Sequence, residues 1–191
     1  LRVGLATSAL RAASARRSSF SLSILPEVDF SSALVINVSE ITARNNICDA
    51  SNGVSHKCFM LANTAVEPPA TDVRIYNNTF YSASAGDFVG VDIRTPATNT
   101  AVYNNLGSSP LAAAPTMVVN AGTLTVQGNN LFDTPSALFV SATPAVPADF
   151  ILKSLPNSAR DAGTAVPVWS DFFRTSRPQN GMIDIGAVEG H

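Results

Sequence analysis

The chain reads as an all-β solenoid, and three observations carry that reading. Asn-Asn occurs four times, at Asn45-Asn46, Asn77-Asn78, Asn104-Asn105 and Asn129-Asn130, each time after a short β-prone run. Successive pairs lie 32, 27 and 25 residues apart, a period at which one structural unit stacks on the next. The composition agrees. Of 191 residues, 46% are hydrophobic and only 14% are charged, against a usual charged share of roughly 25%. Abundant Ser, Thr, Asn, Ala and Val give a β-rich chain whose polar surface is largely uncharged. A β-sandwich also shows short strands with turn signals, but it does not explain one dipeptide at one place in every period.

Residues 1–30 form an N-terminal cap or a processed or partial segment. Arg2, Arg11, Arg16 and Arg17 precede the first acid, Glu27, in a stretch rich in Ser and Ala. That composition resembles a transit peptide; the alternative is a cap or a piece of a larger domain. The repeats occupy residues 31–140. The run before each Asn-Asn alternates, so that Val73 and Ile75 point inward and Arg74 and Tyr76 outward. Arg44, Tyr76, Tyr103 and Gly128 fall in one column. Asparagine tolerates left-handed backbone and marks a sharp turn without glycine. Stacked about 4.8 Å apart, such side chains form an amide ladder.

A second strand lies upstream of each pair. Its inward residues are Leu34/Ile36, Phe59/Leu61, Val91/Ile93 and Met117/Val119, and its outward residues Val35/Asn37, Met60/Ala62, Asp92/Arg94 and Val118/Asn120. The insertion from Ala65 to Thr71 sits between strands, where loops are tolerated. Cys48 and Cys58 are the only cysteines. Two cysteines make no zinc site, which leaves two buried thiols or one disulfide across a short loop, the latter needing an oxidising compartment.

The units "IYNNTF", "VYNNL" and "GNNLF" resemble right-handed parallel β-helix proteins of the pectate-lyase-like superfamily. The C-terminal part resembles the end of secreted bacterial members. Its motifs are Asp149-Phe150-Ile151-Leu152, Ser158-Ala159-Arg160-Asp161-Ala162-Gly163, Arg177-Pro178 and Asp184-Ile185-Gly186-Ala187-Val188-Glu189, with Arg160 where the family usually has an apolar residue. The resemblance covers roughly residues 33–190. It implies a β-helix of about five coils whose open end is closed by residues 131–191, of which 141–191 are the C-terminal capping segment, with Phe139, Phe150, Leu152, Trp169, Phe172, Phe173 and Ile185 supplying apolar cover. Asp161 and Asp184 beside Gly163 and Gly186 suit tight turns held by a carboxylate on backbone amides; the competing role for these acids and Glu189 is catalysis or metal binding.

The resemblance also implies an extended glycan lying over one sheet. Lyases of this kind abstract a proton next to a carboxylate while a cation neutralises the acid. Hydrolases need two carboxylates about 5–9.5 Å apart. The catalytic candidates are Arg94, Lys57 and His56, and the substrate-binding candidates Asp92, Arg74, Tyr76 and Tyr103. Asp92 and Arg94 share one face of a strand, as a surface ion pair or as a carboxylate-binding site. Arg74 and Tyr76 share another face, as a solvated ladder or as a glycan contact. His56 and Lys57 precede the second repeat's strand, as a general base or as loop charges beside Cys58. Glu67 and Asp87 are a further candidate for a carboxylate pair across neighbouring coils.

A net charge of -2 offers no field for nucleic acid, and no apolar run approaches the ~18 residues of a membrane span. No HExxH, CxxC, GxSxG or phosphate-binding loop is present, and the acids are too scattered for calcium, so neither metal nor cofactor is expected. The expected protein is a secreted or cell-surface carbohydrate-active β-helix, most like a polysaccharide lyase acting on an acidic glycan. Its rivals are a non-catalytic glycan-binding or adhesive surface and a structural piece of a larger surface protein. Association through the open N-terminal end of the coil is a further expectation.

Overall fold

In a computed structural model, residues 18–20, 34–36, 39–51, 57–61, 69–83, 88–111 and 116–190 are described. Among them, three parallel sheets are visited in rotation. Strands β1 (Ser18–Phe20), β3 (Ile41–Arg44), β6 (Arg74–Tyr76), β9 (Ala101–Tyr103) and β12 (Val126–Gly128) form sheet A. Strands β4 (Ile47–Asp49), β7 (Thr79–Tyr81), β10 (Leu106–Ser108) and β13 (Leu131–Asp133) form sheet B. Strands β2 (Leu34–Ile36), β5 (Lys57–Leu61), β8 (Val89–Ile93) and β11 (Thr116–Asn120) form sheet C. Each strand pairs in parallel with its equivalent in the next repeat, an arrangement compatible with a parallel β-helix. A sandwich would join sequential strands in antiparallel pairs.

Sheet B went unrecognised in the sequence. Its strands have only three residues each and follow the Asn-Asn turn directly, too short a run to show a period of its own.

Two columns of left-handed residues turn the chain. Asn45, Asn77, Asn104 and Asn129, with φ of 53°, 50°, 57° and 50°, bend it from sheet A into sheet B. Five residues earlier, Glu40, Asp72, Asn99 and Leu124, with φ of 58°, 55°, 51° and 53°, bend it from sheet C into sheet A. Left-handed backbone costs most residues roughly 1–2 kcal/mol, and Asn and Asp least, which accounts for the asparagines.

The second asparagine of each pair builds the expected ladder. Asn46 Nδ2 donates to Asn78 Oδ1 at 2.7 Å, Asn78 Nδ2 to Asn105 Oδ1 at 2.9 Å and Asn105 Nδ2 to Asn130 Oδ1 at 2.9 Å. The same amides also donate to strand carbonyls, Asn78 to Ala43, Asn105 to Ile75 and Asn130 to Val102. Buried amides are costly when unpaired; here each rung satisfies the next.

Inside the sheets, Ala43, Ile75 and Val102 align in one column and Ile36, Leu61 and Ile93 in another, all buried. Phe59 meets Phe80 edge to face, with ring centroids 5.7 Å apart. Cys48 and Cys58 form a buried disulfide that joins β4 to β5. The last repeat departs from the expected facing by one residue. Val118, not Met117, pairs with Val91, and Val119 pairs with Asp92 on the outward face. Met117 and Val118 both pack against the core while Val119 is exposed. A regular alternation from Met117 missed this because the repeat shortens only after β11: Asn120 to Leu124 is four steps where Ile93 to Asn99 is six, while β10 to β11 keeps the ten-residue step of β7 to β8.

The C-terminal segment lies along the flank of the repeats instead of closing their end. The first asparagines hold it. Asn45 Nδ2 donates to Ser170 O, Asn77 Nδ2 to Asp184 O at 2.8 Å, Asn104 Nδ2 to Thr164 O at 2.8 Å and Asn129 Nδ2 to Ala162 O at 3.1 Å. The helix α1 (Pro135–Leu138), Phe139, Phe150, Leu152, Ile185 and Val188 cluster with Ile47, Tyr81 and Leu106 on the outer face of sheet B. Trp169 and Phe173, expected to cover the core, are exposed.

The acids of this segment lock it internally. Asp184 Oδ1 accepts from Asp161 N at 2.6 Å and Oδ2 from Gly190 N. Arg177 Nη1 lies 3.1 Å from Glu189 Oε2, both side chains buried, and the guanidinium also donates to the carbonyls of Asp184 and Gly186. The carboxylate-on-amide turn expected at Asp184 is present.

Candidate functional site

Sheet C brings three of the expected site residues together. Strand alternation puts Asp92 on its outer face, and the register sets Met60 of β5 beside it. Lys57 opens β5. Arg94 follows β8, held by its N–H to Leu61 O at 3.1 Å and by the turn in which Ala97 N donates to Arg94 O at 2.8 Å. Lys57 Nζ donates to Asp92 Oδ2 at 2.7 Å, and Arg94 Nε donates to the same oxygen at 3.0 Å. The Asp92 side chain is only 7% exposed and that of Arg94 is 40% exposed.

One carboxylate therefore holds two cations, and the cluster carries a formal charge of +1. Because Asp92 takes Nε, the terminal nitrogens of Arg94 face outward with no partner among the described residues. A planar guanidinium in this state can hold a carboxylate through two parallel bonds. The Lys57–Asp92 contact was missed in the sequence because the two lie 35 residues apart. Aligning the upstream strands brings the two near each other, but Lys57 stands three residues before Met60, the register partner of Asp92, and regular alternation assigns it to the opposite face.

The other candidates do not join this cluster. His56, Glu67 and Asp87 lie outside the described residues. Arg74 stands on sheet A, where its Nη1 donates to the carbonyls of Val73 and Asn99 and its Nη2 lies 3.9 Å from Asp72 Oδ1. Tyr76 is outward on sheet A as expected, but Val168 of the C-terminal segment covers it and it is only 7% exposed. Burial raises its phenol above the usual value, with Arg74 pulling the other way. Tyr103 packs beside Tyr76, with centroids 6.4 Å apart, and its ring lies over Gly128, where a Cβ would come within 2.9 Å of Cε1. Tyr81 is also buried. The tyrosines thus serve the contact between the repeats and the C-terminal segment.

A concave feature lies in that segment. A cleft of about 520 Å³ is lined by Val166, Pro167, Trp169, Pro178 and Met182, with Arg177 also in its wall. Trp169 is 74% exposed at its mouth. Among the described residues, no three His, Cys, Asp or Glu side chains gather as a metal-ligand group, and no helix is long and apolar enough to cross a membrane.

Comparison with models of known protein families, with curated proteins and with solved structures returns no match.

Proposed function

We propose that this chain is an extracellular, carbohydrate-active right-handed parallel β-helix of about five coils, which engages an acidic polysaccharide on the outer face of sheet C. It is most like the pectate-lyase-like superfamily, with the C-terminal end of its secreted bacterial members. The observation that carries the reading is the pairing of Lys57 and Arg94 on a single oxygen of Asp92. It fixes a net positive charge and an outward guanidinium on a regular, parallel-stranded surface. A repeating uronate presents one carboxylate per sugar, and Arg94 has the geometry to receive one. The Cys48–Cys58 disulfide supports a place outside the reducing cytosol.

Binding has more support than lyase catalysis. A lyase base must be free to reach the substrate proton, and Lys57 Nζ is already engaged with Asp92 Oδ2 at 2.7 Å. Of the other catalytic candidates, Arg94 is bound through Nε to the same carboxylate and His56 lies outside the described residues.

The test is a panel of uronate polymers assayed in parallel for binding and for the absorbance of unsaturated products. Arg94→Lys keeps the charge but loses the planar fork, and is expected to weaken binding about tenfold, the worth of part of a charge-assisted bond. Its unfolding free energy should hardly change, because an exposed partner of Asp92 contributes little. If the intact protein neither binds nor cleaves any of the polymers, the structural reading replaces this one.

A further inference from the structure

Among the described residues, none covers the end of the last repeat. None of the residues from 116 to 133 is buried, whereas the preceding repeat is buried over most of its length. Strands β11, β12 and β13 are the edges of sheets C, A and B. The interior columns also change chemistry here. Asn120 continues the column of Leu61 and Ile93, and Gln127 that of Ile75 and Val102, and both are exposed.

The unpaired groups can be identified by comparison with earlier repeats. Glu40 N and Asn99 N donate to Thr71 O and Thr123 O of the following repeat. Asn77 N and Asn104 N donate to Tyr103 O and Gly128 O. Asn78 N and Asn105 N donate to the Oδ1 atoms of Asn105 and Asn130. The equivalent amides of the last repeat belong to Leu124, Asn129 and Asn130, and they have no acceptor among the described residues. Acceptors are present too. Val126 N donates to Thr100 O and Gly128 O accepts from Asn104 N, so strand alternation turns both the N–H and the C=O of Gln127 to the free side.

Such edges are normally blunted by charge, proline or a covering element. Across β11, β12 and β13 (116–133) there is no Pro, and the one charged residue is Asp133, the last of β13, whose carboxylate accepts from Thr134 N at 2.8 Å and from Ser158 Oγ at 3.2 Å. The C-terminal segment, which could have covered the end, is committed to the flank through Asn45, Asn77, Asn104 and Asn129. We infer that this end face is an interface for a second copy of the chain, joined end to end about a two-fold axis. A face with both donors and acceptors is self-complementary, and one whose strands carry a single charge, Asp133, bonded to Thr134 N and Ser158 Oγ at the end of β13, does little to repel its own copy. An isologous contact of this kind closes at two copies and needs nothing beyond this one surface.

The experiment is sedimentation equilibrium of the full chain over a concentration series. A monomer–dimer equilibrium is expected. Asn120→Lys/Gln127→Lys places charges on two exposed positions and should raise the dimer dissociation constant at least about 100-fold, since like charges brought together cost several kcal/mol. Asn120→Glu/Gln127→Glu should do the same alone, and an equimolar mixture of the two variants should restore the dimer. Unchanged circular dichroism and unfolding midpoints would show that both variants fold. A monomer at every concentration overturns the inference. So does a dimer indifferent to the lysines, which would use another surface, or an open-ended series of larger species, which would join unlike ends.

Discussion

Each Asn-Asn dipeptide divides two tasks between neighbouring residues. The first asparagine takes the left-handed backbone and sends its amide outward to the C-terminal segment, while the second turns inward to the ladder. The repetition was visible in the sequence, and so was the ladder. The reason for two asparagines was not, because the partners of the first ones, such as Asp184 for Asn77, lie up to 125 residues away. The other left-handed column contains two residues that do not suit it, Glu40 and Leu124. Leu124 has φ of 53° and is 77% exposed, where its equivalents are Glu40, Asp72 and Asn99. It bears the backbone cost and gains no burial. Leu124→Asn should therefore stabilise the protein by about 1 kcal/mol. Chemical denaturation checks this, and a loss of stability would mean that the Leu124 side chain does pack.

At the scale of elements, the C-terminal segment is held by buried charge. Burial raises the carboxyls of Asp184 and Glu189 above their ordinary values, against the opposing pull of Arg177 and of backbone N–H bonds. A carboxyl raised on folding binds its proton more tightly in the native state. Its contribution is fully present below the ordinary carboxyl pKa, near about 4, and is lost as pH rises through the folded value. Lowering the pH from neutral toward 5 (about one unit above the ordinary carboxyl range) should thus raise the unfolding free energy or hold it level. Asp149 works in the opposite sense. The N–H groups of Ala145 and Val146 lower its carboxyl, so its contribution is lost only as pH falls below the ordinary range. Denaturation curves between neutrality and that limit separate the two. A fall in stability there would show that the Arg177–Glu189 pair outweighs the burial of its own carboxylate. The motif Asp184 to Glu189 was legible in the sequence as a turn held by carboxylates. The pairing with buried Arg177 and the position on the flank were not: the first rests on bonds to Glu189 and to the carbonyls of Asp184 and Gly186, the second on contacts with Asn77, Thr79 and Asn104.

At the scale of the whole molecule, the Cys48–Cys58 bond closes a segment of ten residues between sheets B and C. A loop of that length limits the unfolded chain by up to about 3 kcal/mol. Cys48→Ala/Cys58→Ala should lower the unfolding free energy by no more than that, with the circular dichroism of the native state unchanged. A larger loss would point to packing around the sulfurs in the core. The end face of the last repeat and the ion cluster on sheet C lie on different surfaces, so glycan binding and dimerisation can be tested separately.

The sequence by itself determined the repeat, its turns and the identity of the ladder, because these depend on interactions between equivalent residues of neighbouring units and therefore recur with the period. It also placed Asp92 and Arg94 on one face, since alternation along a strand is local. Tertiary structure alone decided what sits outside the repeats: that Lys57 shares Asp92 with Arg94, that Val168 covers Tyr76, and that the C-terminal segment runs along the flank and leaves the last strands uncovered. Those outcomes depend on single, non-recurring contacts between residues far apart in the chain, and such contacts leave no period to read.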